Sequence, residues 1–156
     1  MVSRKLRECL EKERISFEEM SHKEAFTAQQ VAQAQHVSGD QLVKVVVVKH
    51  GENYSLLALP ATFRVELSKL KNIFPEGDIR LATEYELGSL FPDCQIGAMP
   101  PFGNLYNVET WADEAIQKDQ EIIFQSGDHS STIKMKYSDW EQLVHPHIAA
   151  FSVKAG

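Results

Sequence analysis

Apolar and polar positions along this 156-residue chain follow two different periods, and the period switches several times. Val2, Leu6, Cys9 and Leu10 recur at helical spacing, which predicts an amphipathic helix over 3–13. "ISFEEM" (15–20) reads as a short strand. Thr27 and Gln30 have capping-box spacing and open a second helix that stops near Gly39. "LVKVVVVK" (42–49), the turn "HGEN" and the run 54–59 predict a hairpin ended by Pro60. In its first strand Leu42, Lys44, Val46 and Val48 share one face, and Val43, Val45 and Val47 share the other. Valines on both faces mean that both should be covered. Val65, Leu67, Leu70, Ile73 and Phe74 predict a further helix closed by "PEGD". "IRLA" is strand-like, and Thr83 with Glu86 repeats the capping box before a helix that carries Leu87, Leu90 and Phe91 on one face. "LYNVETW" and "EIIFQSG" read as strands. "STIKMKY" alternates through Ile133, Met135 and Tyr137, so its other face should be solvated. Ser138 and Glu141 offer a third capping box, and the tail "HPHIAAFSVKAG" has no readable period. Helices alternate with strands early, and strands cluster late. The expected fold is one α/β domain over 1–156 with a mixed, strongly curved sheet, not a doubly wound parallel one.

Composition narrows the picture little. Hydrophobic residues make up 43% and charged residues 24%, as in ordinary globular domains. No apolar run reaches the length of a membrane span, and the charged N-terminus lacks the apolar core of a signal peptide. Cys9 and Cys94 stand far apart, which speaks against a disulfide framework and for a reducing cytoplasm. The net charge of −6 argues against an independent high-affinity nucleic-acid binder. It leaves room for a protein that touches one end of a nucleic acid and draws on a partner for the rest.

Four places could carry chemistry. Lys44 interrupts the apolar run of its strand. It is either a snorkelling lysine with a packed stem and a wet head, or a cation set in a cleft for an anion such as a phosphate. Lys49 borders the turn and reads as a solvated charge. "GAMPPFG" (97–103) packs two glycines and two prolines into a stiff bend. It is either a rigid turn or a loop whose backbone must approach a ligand. "SGDHSST" (126–132) sets Asp128 and His129 in a polar turn, either a plain hairpin loop or a histidine beside a cleft. His22 is a turn or capping residue, or lies near a helix N-terminus that can hold anions. Cys94 has no adjacent base and reads as a structural thiol. His145 and His147 alone make a poor metal site. HExxH, CxxC and GxSxG are absent from the chain.

In this order and spacing, "HKEAFTAQQVA", "LVKVVVVK", "GAMPPFG" and "FQSGDHSSTIKM" resemble the YbaK family of prolyl-tRNA synthetase-associated editing domains, also called aminoacyl-tRNA deacylase domains. The resemblance spans about residues 15–143. It implies a mixed, partly barrel-like sheet surrounded by helices, and hydrolysis of the ester of mischarged tRNA. Carried over by motif, Lys44 would bind the phosphate and ribose end of the terminal adenosine. Gly97 and Pro101 would form the loop that holds the aminoacyl group and positions water. His129 would lie near the aminoacyl moiety, with His22 and Thr27 bordering the pocket. The family needs no metal, cofactor or covalent intermediate, because the ester is already activated. The implied substrate is a small amino acid such as Cys, Ala or Ser, on the tRNA for proline. The implied partners are the 3′ end of that aminoacyl-tRNA and a synthetase or elongation factor that delivers it. Val45 departs from the Thr or Asn that well-known members carry after the lysine. A non-catalytic module for a nucleotide or small ligand, or an interaction domain, is the alternative use of the same fold.

Overall fold

The computed structural model describes residues 2–21 and 42–155. The helix expected from Thr27, and with it His22 and Thr27 as site residues, lies outside them. Helix α1 (Arg4–Lys12) starts at Ser3, whose hydroxyl accepts from the Leu6 amide. Its apolar stripe buries Leu6 and Leu10, while Arg4–Glu8 and Arg7–Glu11 pairs occupy the wet side. The strand expected at 15–20 forms as β1 (Phe17–Ser21).

The hairpin forms as read. β2 (Leu42–His50) and β3 (Asn53–Pro60) pair antiparallel from Val43–Pro60 to His50–Asn53. Then follow β4 (Phe63–Val65), α2 (Leu67–Ile73), β5 (Ile79–Leu81), α3 (Glu84–Leu90), β6 (Glu109–Asp113), β7 (Glu121–Gln125), β8 (Ser131–Lys136), α4 (Tyr137–Val144), β9 (His147–Ala149) and β10 (Ser152–Lys154). Eight of these strands make one mixed sheet in the order β1-β8-β7-β2-β3-β6-β9, with β5 on β2. The pairs β7·β2, β3·β6 and β6·β9 are parallel and the others antiparallel. β4 and β10 form a separate two-stranded ribbon.

Both faces of β2 are covered, as the valines on both faces require. Val43 packs with Leu6, Leu10, Phe102, Phe124 and Trp140. Val45 and Val47 meet Phe91, Met99 and Tyr106, while Val46 and Val48 on the opposite face meet Leu57, Leu59, Leu70, Phe74 and Phe151. The sheet therefore carries apolar layers on both sides, and this central strand belongs to both.

Four local expectations shift. Val65 ends β4 instead of opening a helix, because it pairs with Ser152 of the returning tail. The capping box at Thr83 and Glu86 is complete, but the one at Ser138 is not. β8 runs straight into α4, so Tyr137 already starts the helix and Glu141 accepts from the Tyr137 hydroxyl at 2.7 Å instead. Leu105 sits in a 3-10 turn and Asn107 takes a left-handed φ of 58°, so the strand expected from Leu105 begins only at Glu109. The face of β8 expected to be wet is exposed at Lys136, yet Thr132 has no exposure at all. The tail is held by a buried carboxylate: Asp113 Oδ2 accepts from Phe151 N, Ser152 N and Ser152 Oγ at 3.0, 2.9 and 2.7 Å.

Candidate active site

β2 has one complete edge and one broken edge. Along β3 its pairing is continuous. On the other edge β7 pairs with Leu42 and Val43, and β5 pairs with Val48 to His50. Between them, Lys44 to Val46 have no neighbouring strand among the described residues. Pro60 sits opposite Val43, and Val47 O accepts from Ala82 N at 2.9 Å across the broken edge. Backbone alternation then turns the amide and carbonyl of Val45 toward the break. A sheet parting its strands in mid-course leaves main-chain groups and side chains open to a ligand.

Lys44 stands at this break. It is half-buried and has neither ion pair nor hydrogen bond among the described residues. Burial pulls its pKa below the ordinary lysine value, because water cannot fully solvate the ammonium. A snorkelling lysine would put its head in water, and a structural one would be paired. This one does neither fully.

The "GAMPPFG" bend divides into a free part and an anchored part. Gly97 is exposed, with φ of 87°, a conformation that costs other residues steric strain. A Cβ there would find His129 Cε1 at 3.5 Å, an ordinary contact, so the glycine is needed for its backbone and not for space. Among the described residues its amide reaches only the Met99 thioether, a weak acceptor, at 3.3 Å. From Ala98 onward the bend is buried. Trp140 Nε1 donates to the Pro101 carbonyl at 2.9 Å, so Pro101 is fixed in the core by its own oxygen. A Cβ on Gly103 would strike Val108 O at 2.4 Å, so that glycine serves close packing.

His129 is 6% exposed and latches the bend to the β7–β8 turn. Its amide donates to Gln95 Oε1 and its Nε2 donates to the Ile96 carbonyl, both at 2.9 Å, while Gln95 N donates to Gly127 O at 2.7 Å. The bond to a carbonyl fixes the tautomer with hydrogen on Nε2. Asp128 stiffens the turn by accepting from Ser130 N at 3.0 Å and Ser131 Oγ at 2.7 Å. Gly97 and His129 are thus in contact. Met99, two residues on, packs in the cluster that includes Val45, which ties the bend to the broken edge of β2.

A second polar knot holds the near side of the bend. Asp93 accepts from Ser3 Oγ and Tyr106 OH, each at 2.7 Å. Burial would raise its carboxyl pKa, but these bonds, with Lys5 N and Cys94, outweigh it and hold the carboxyl below the usual range. Burial pushes the Cys94 thiol up to about 11, the behaviour of a structural thiol and not a nucleophile. Among the described residues no group of three or more His, Cys, Asp or Glu is placed to hold a metal ion. No described helix is long and apolar enough to cross a membrane.

Sequence reasoning missed two residues near Lys44. Among the described residues, Gln125 Nε2 and Thr132 Oγ1 are buried without hydrogen-bond partners. Nothing in "EIIFQSG" or "STIKMKY" marks them, because a polar residue in an alternating strand reads as solvent-facing.

The match to known proteins now bears on this geometry. The family model described as the aminoacyl-tRNA editing domain matches residues 22–143. The chain belongs to that family. A proline–tRNA ligase of Bacillus cytotoxicus is 28% identical over 81 residues, which is 52% of this chain and 14% of that protein. The chain thus spans a small fraction of that relative's length. A solved structure described as a candidate trans-editing enzyme for prolyl tRNA synthetase superposes with a TM-score of 0.82 at 22% identity, covering 99% of this chain and 97% of its own. A hypothetical protein, APE2540, superposes with a TM-score of 0.86 at 17% identity, covering 96% and 99%. At these identities the two structures establish the fold, and the editing-domain fold is the one described above.

Proposed function

We propose that this editing domain is a trans-acting hydrolase that cleaves the ester of a mischarged aminoacyl-tRNA. Two observations support the reading: the half-buried cation of Lys44 at the break in β2, unpaired among the described residues, and a bend tied to that broken edge through Met99 and Val45, whose Gly97 amide has, among the described residues, only a thioether for partner. Lys44 holds the anionic end of the terminal nucleotide. The Gly97 amide is free to stabilise the oxygen of the ester carbonyl as charge develops on it. A water attacks that carbonyl carbon, the carbon–oxygen bond to the ribose breaks, and the ribose oxygen takes up a proton. The products are a free amino acid and an uncharged tRNA. Because the ester is activated, positioning of water and substrate can supply much of the rate without a nucleophilic side chain. His129 acts by holding the Ile96–Gly97 backbone in register, and Pro101 by tethering the far end of the bend.

The substrate we assign is a small amino acid such as Cys, Ala or Ser on the tRNA for proline, with a synthetase or elongation factor delivering it. Selection by pocket size alone separates neighbours by only ~1–3 kcal/mol. The test is to incubate the pure protein with a panel of mischarged tRNAs and follow release of the amino acid. Hydrolysis of a small-residue ester that fails in Lys44→Ala is the expected result. A panel left wholly intact, or full activity in the alanine variant, overturns the reading.

A further inference from the structure

Ser3 stands at the start of α1, outside the residues 22–143 on which the family is recognised. It does more than cap that helix. The residue is 2% exposed, and its polar groups reach two separate loops. Its amide donates to the Ser126 carbonyl at 2.6 Å. Its hydroxyl donates to Asp93 Oδ2 at 2.7 Å and lies 2.9 Å from Tyr106 OH. The capping bond it accepts from the Leu6 amide is longer, 3.4 Å, so the cap is the weakest of these contacts.

The two loops are those that carry Gly97 and His129. They also bond each other: Gln95 N donates to Gly127 O at 2.7 Å, and His129 N donates to Gln95 Oε1 at 2.9 Å. Ser3, Asp93, Gln95, Gly127 and Ser126 therefore lie on one closed ring, made of three hydrogen bonds and two short runs of chain. The fit is close. A Cβ on Gly127 would meet Ser3 N at 2.9 Å, so a side chain at 127 would push the N-terminal residue out of the ring. Gly97 follows two residues after Gln95, and the ring sets the direction from which its backbone departs.

We infer that Ser3 is a positioning residue for hydrolysis: it clasps the bend to the β7–β8 turn and so aims the Gly97 amide. The inference rests on the deacylase reading, in which that amide meets the developing oxyanion. A donor held in place before the reaction costs no reorganisation when charge develops, so opening the ring at Ser3 lowers the rate of the chemical step. Lys44 sits on β2, off the ring, and keeps its hold on the substrate. The loss therefore falls on kcat and spares KM.

The test compares Ser3→Ala, Asp93→Ala, their double variant, Asp93→Asn and Leu10→Ala. Each is followed by kinetics on a mischarged tRNA that the wild type cleaves, by thermal denaturation, and by amide spectra of Gly97 and His129. Ser3→Ala lowers kcat about tenfold and leaves KM within about twofold. Asp93→Ala does the same, and the double variant falls less than about twofold further, because both changes open the same bond. Asp93→Asn keeps an acceptor for the Ser3 hydroxyl and recovers kcat to within about threefold of the wild type. Leu10 is a fully buried apolar anchor of the same helix. Leu10→Ala lowers the melting temperature more than Ser3→Ala does, yet keeps kcat within about twofold and leaves the Gly97 and His129 resonances in place. Ser3→Ala shifts both resonances. A Ser3→Ala protein with undiminished kcat or unmoved resonances overturns the inference. So does a Leu10→Ala protein that loses as much kcat, or a double variant whose losses multiply to about a hundredfold. A Ser3→Ala chain that fails to fold also overturns it, since Ser3 would then hold the fold and not the bend. A wild type that hydrolyses no mischarged tRNA defeats the deacylase reading, and the Gly97 resonances then decide the clasp by themselves.

Discussion

Replacing Lys44 with methionine should move stability and activity in opposite directions. Methionine keeps most of the apolar stem and removes the charge. The native ammonium is half-buried, unpaired among the described residues, and has its pKa lowered by desolvation from 10.5. At neutral pH it is charged in both folded and unfolded chains, and only the folded chain bears the desolvation cost. Lys44→Met should therefore be as stable as the wild type or more so, by at most ~1 kcal/mol because solvent still screens the site. The difference closes as pH rises. Between the folded pKa and the unfolded value near 10.5, the unfolded wild type binds more protons than the folded one, so wild-type stability rises relative to the mutant as pH increases. The catalytic effect runs the other way. A lost charge-assisted hydrogen bond to the substrate is worth ~1.5–3 kcal/mol, or about 10–150-fold in kcat/KM. Urea denaturation at pH 7 and pH 10, alongside deacylation kinetics on the same preparations, reads both limbs. A mutant clearly less stable at pH 7, or one with undiminished kcat/KM, would refute the argument that this cation is held for a ligand.

Gly97→Ala should cost ~1–2 kcal/mol through its positive φ and not through collision, and it should lower kcat/KM more than it lowers stability; an alanine variant with wild-type kinetics contradicts a role for this backbone. Asp113→Ala strands the donors of Phe151 and Ser152 and the Ala115 amide around a 3%-exposed position, so a loss of ~3–5 kcal/mol in urea denaturation is expected. A loss below ~1 kcal/mol would mean that the tail is held by its packing instead. Cys94, with its thiol pKa near 11, should react with iodoacetamide at pH 8 at least tenfold more slowly than a free cysteine, and comparable rates would show that the thiol is not buried as described.

Much of this molecule was legible in its sequence wherever a period or a cap acts locally. Helix α1, the β2–β3 hairpin and the Thr83 capping box follow from spacing alone, and the mixed α/β class follows from the order of elements. What failed depended on distant partners. Val65 is a strand because Ser152 returns to pair with it, and the tail has no period because Asp113, far away in sequence, sets its path. The "GAMPPFG" bend was recognisable as stiff, but not as divided: only its fold shows that Trp140 occupies the Pro101 carbonyl while Gly97 stays exposed. Gln125 and Thr132 were invisible for a related reason. Alternation tells which face a residue is on, and it does not tell whether that face is wet.

The break in β2 has a consequence for how this domain can be probed and how it can vary. Val45 offers its peptide group, not its side chain, at the opening. Peptide groups survive almost every substitution, so alanine scanning across residues 45 and 46 would pass over whatever they contribute. The side chain at 45 can then be exchanged to reshape the neighbourhood while the N–H and C=O stay where they are. Swapping the amide bond itself for an ester, by chemical synthesis of the strand, is the change that would expose the contribution.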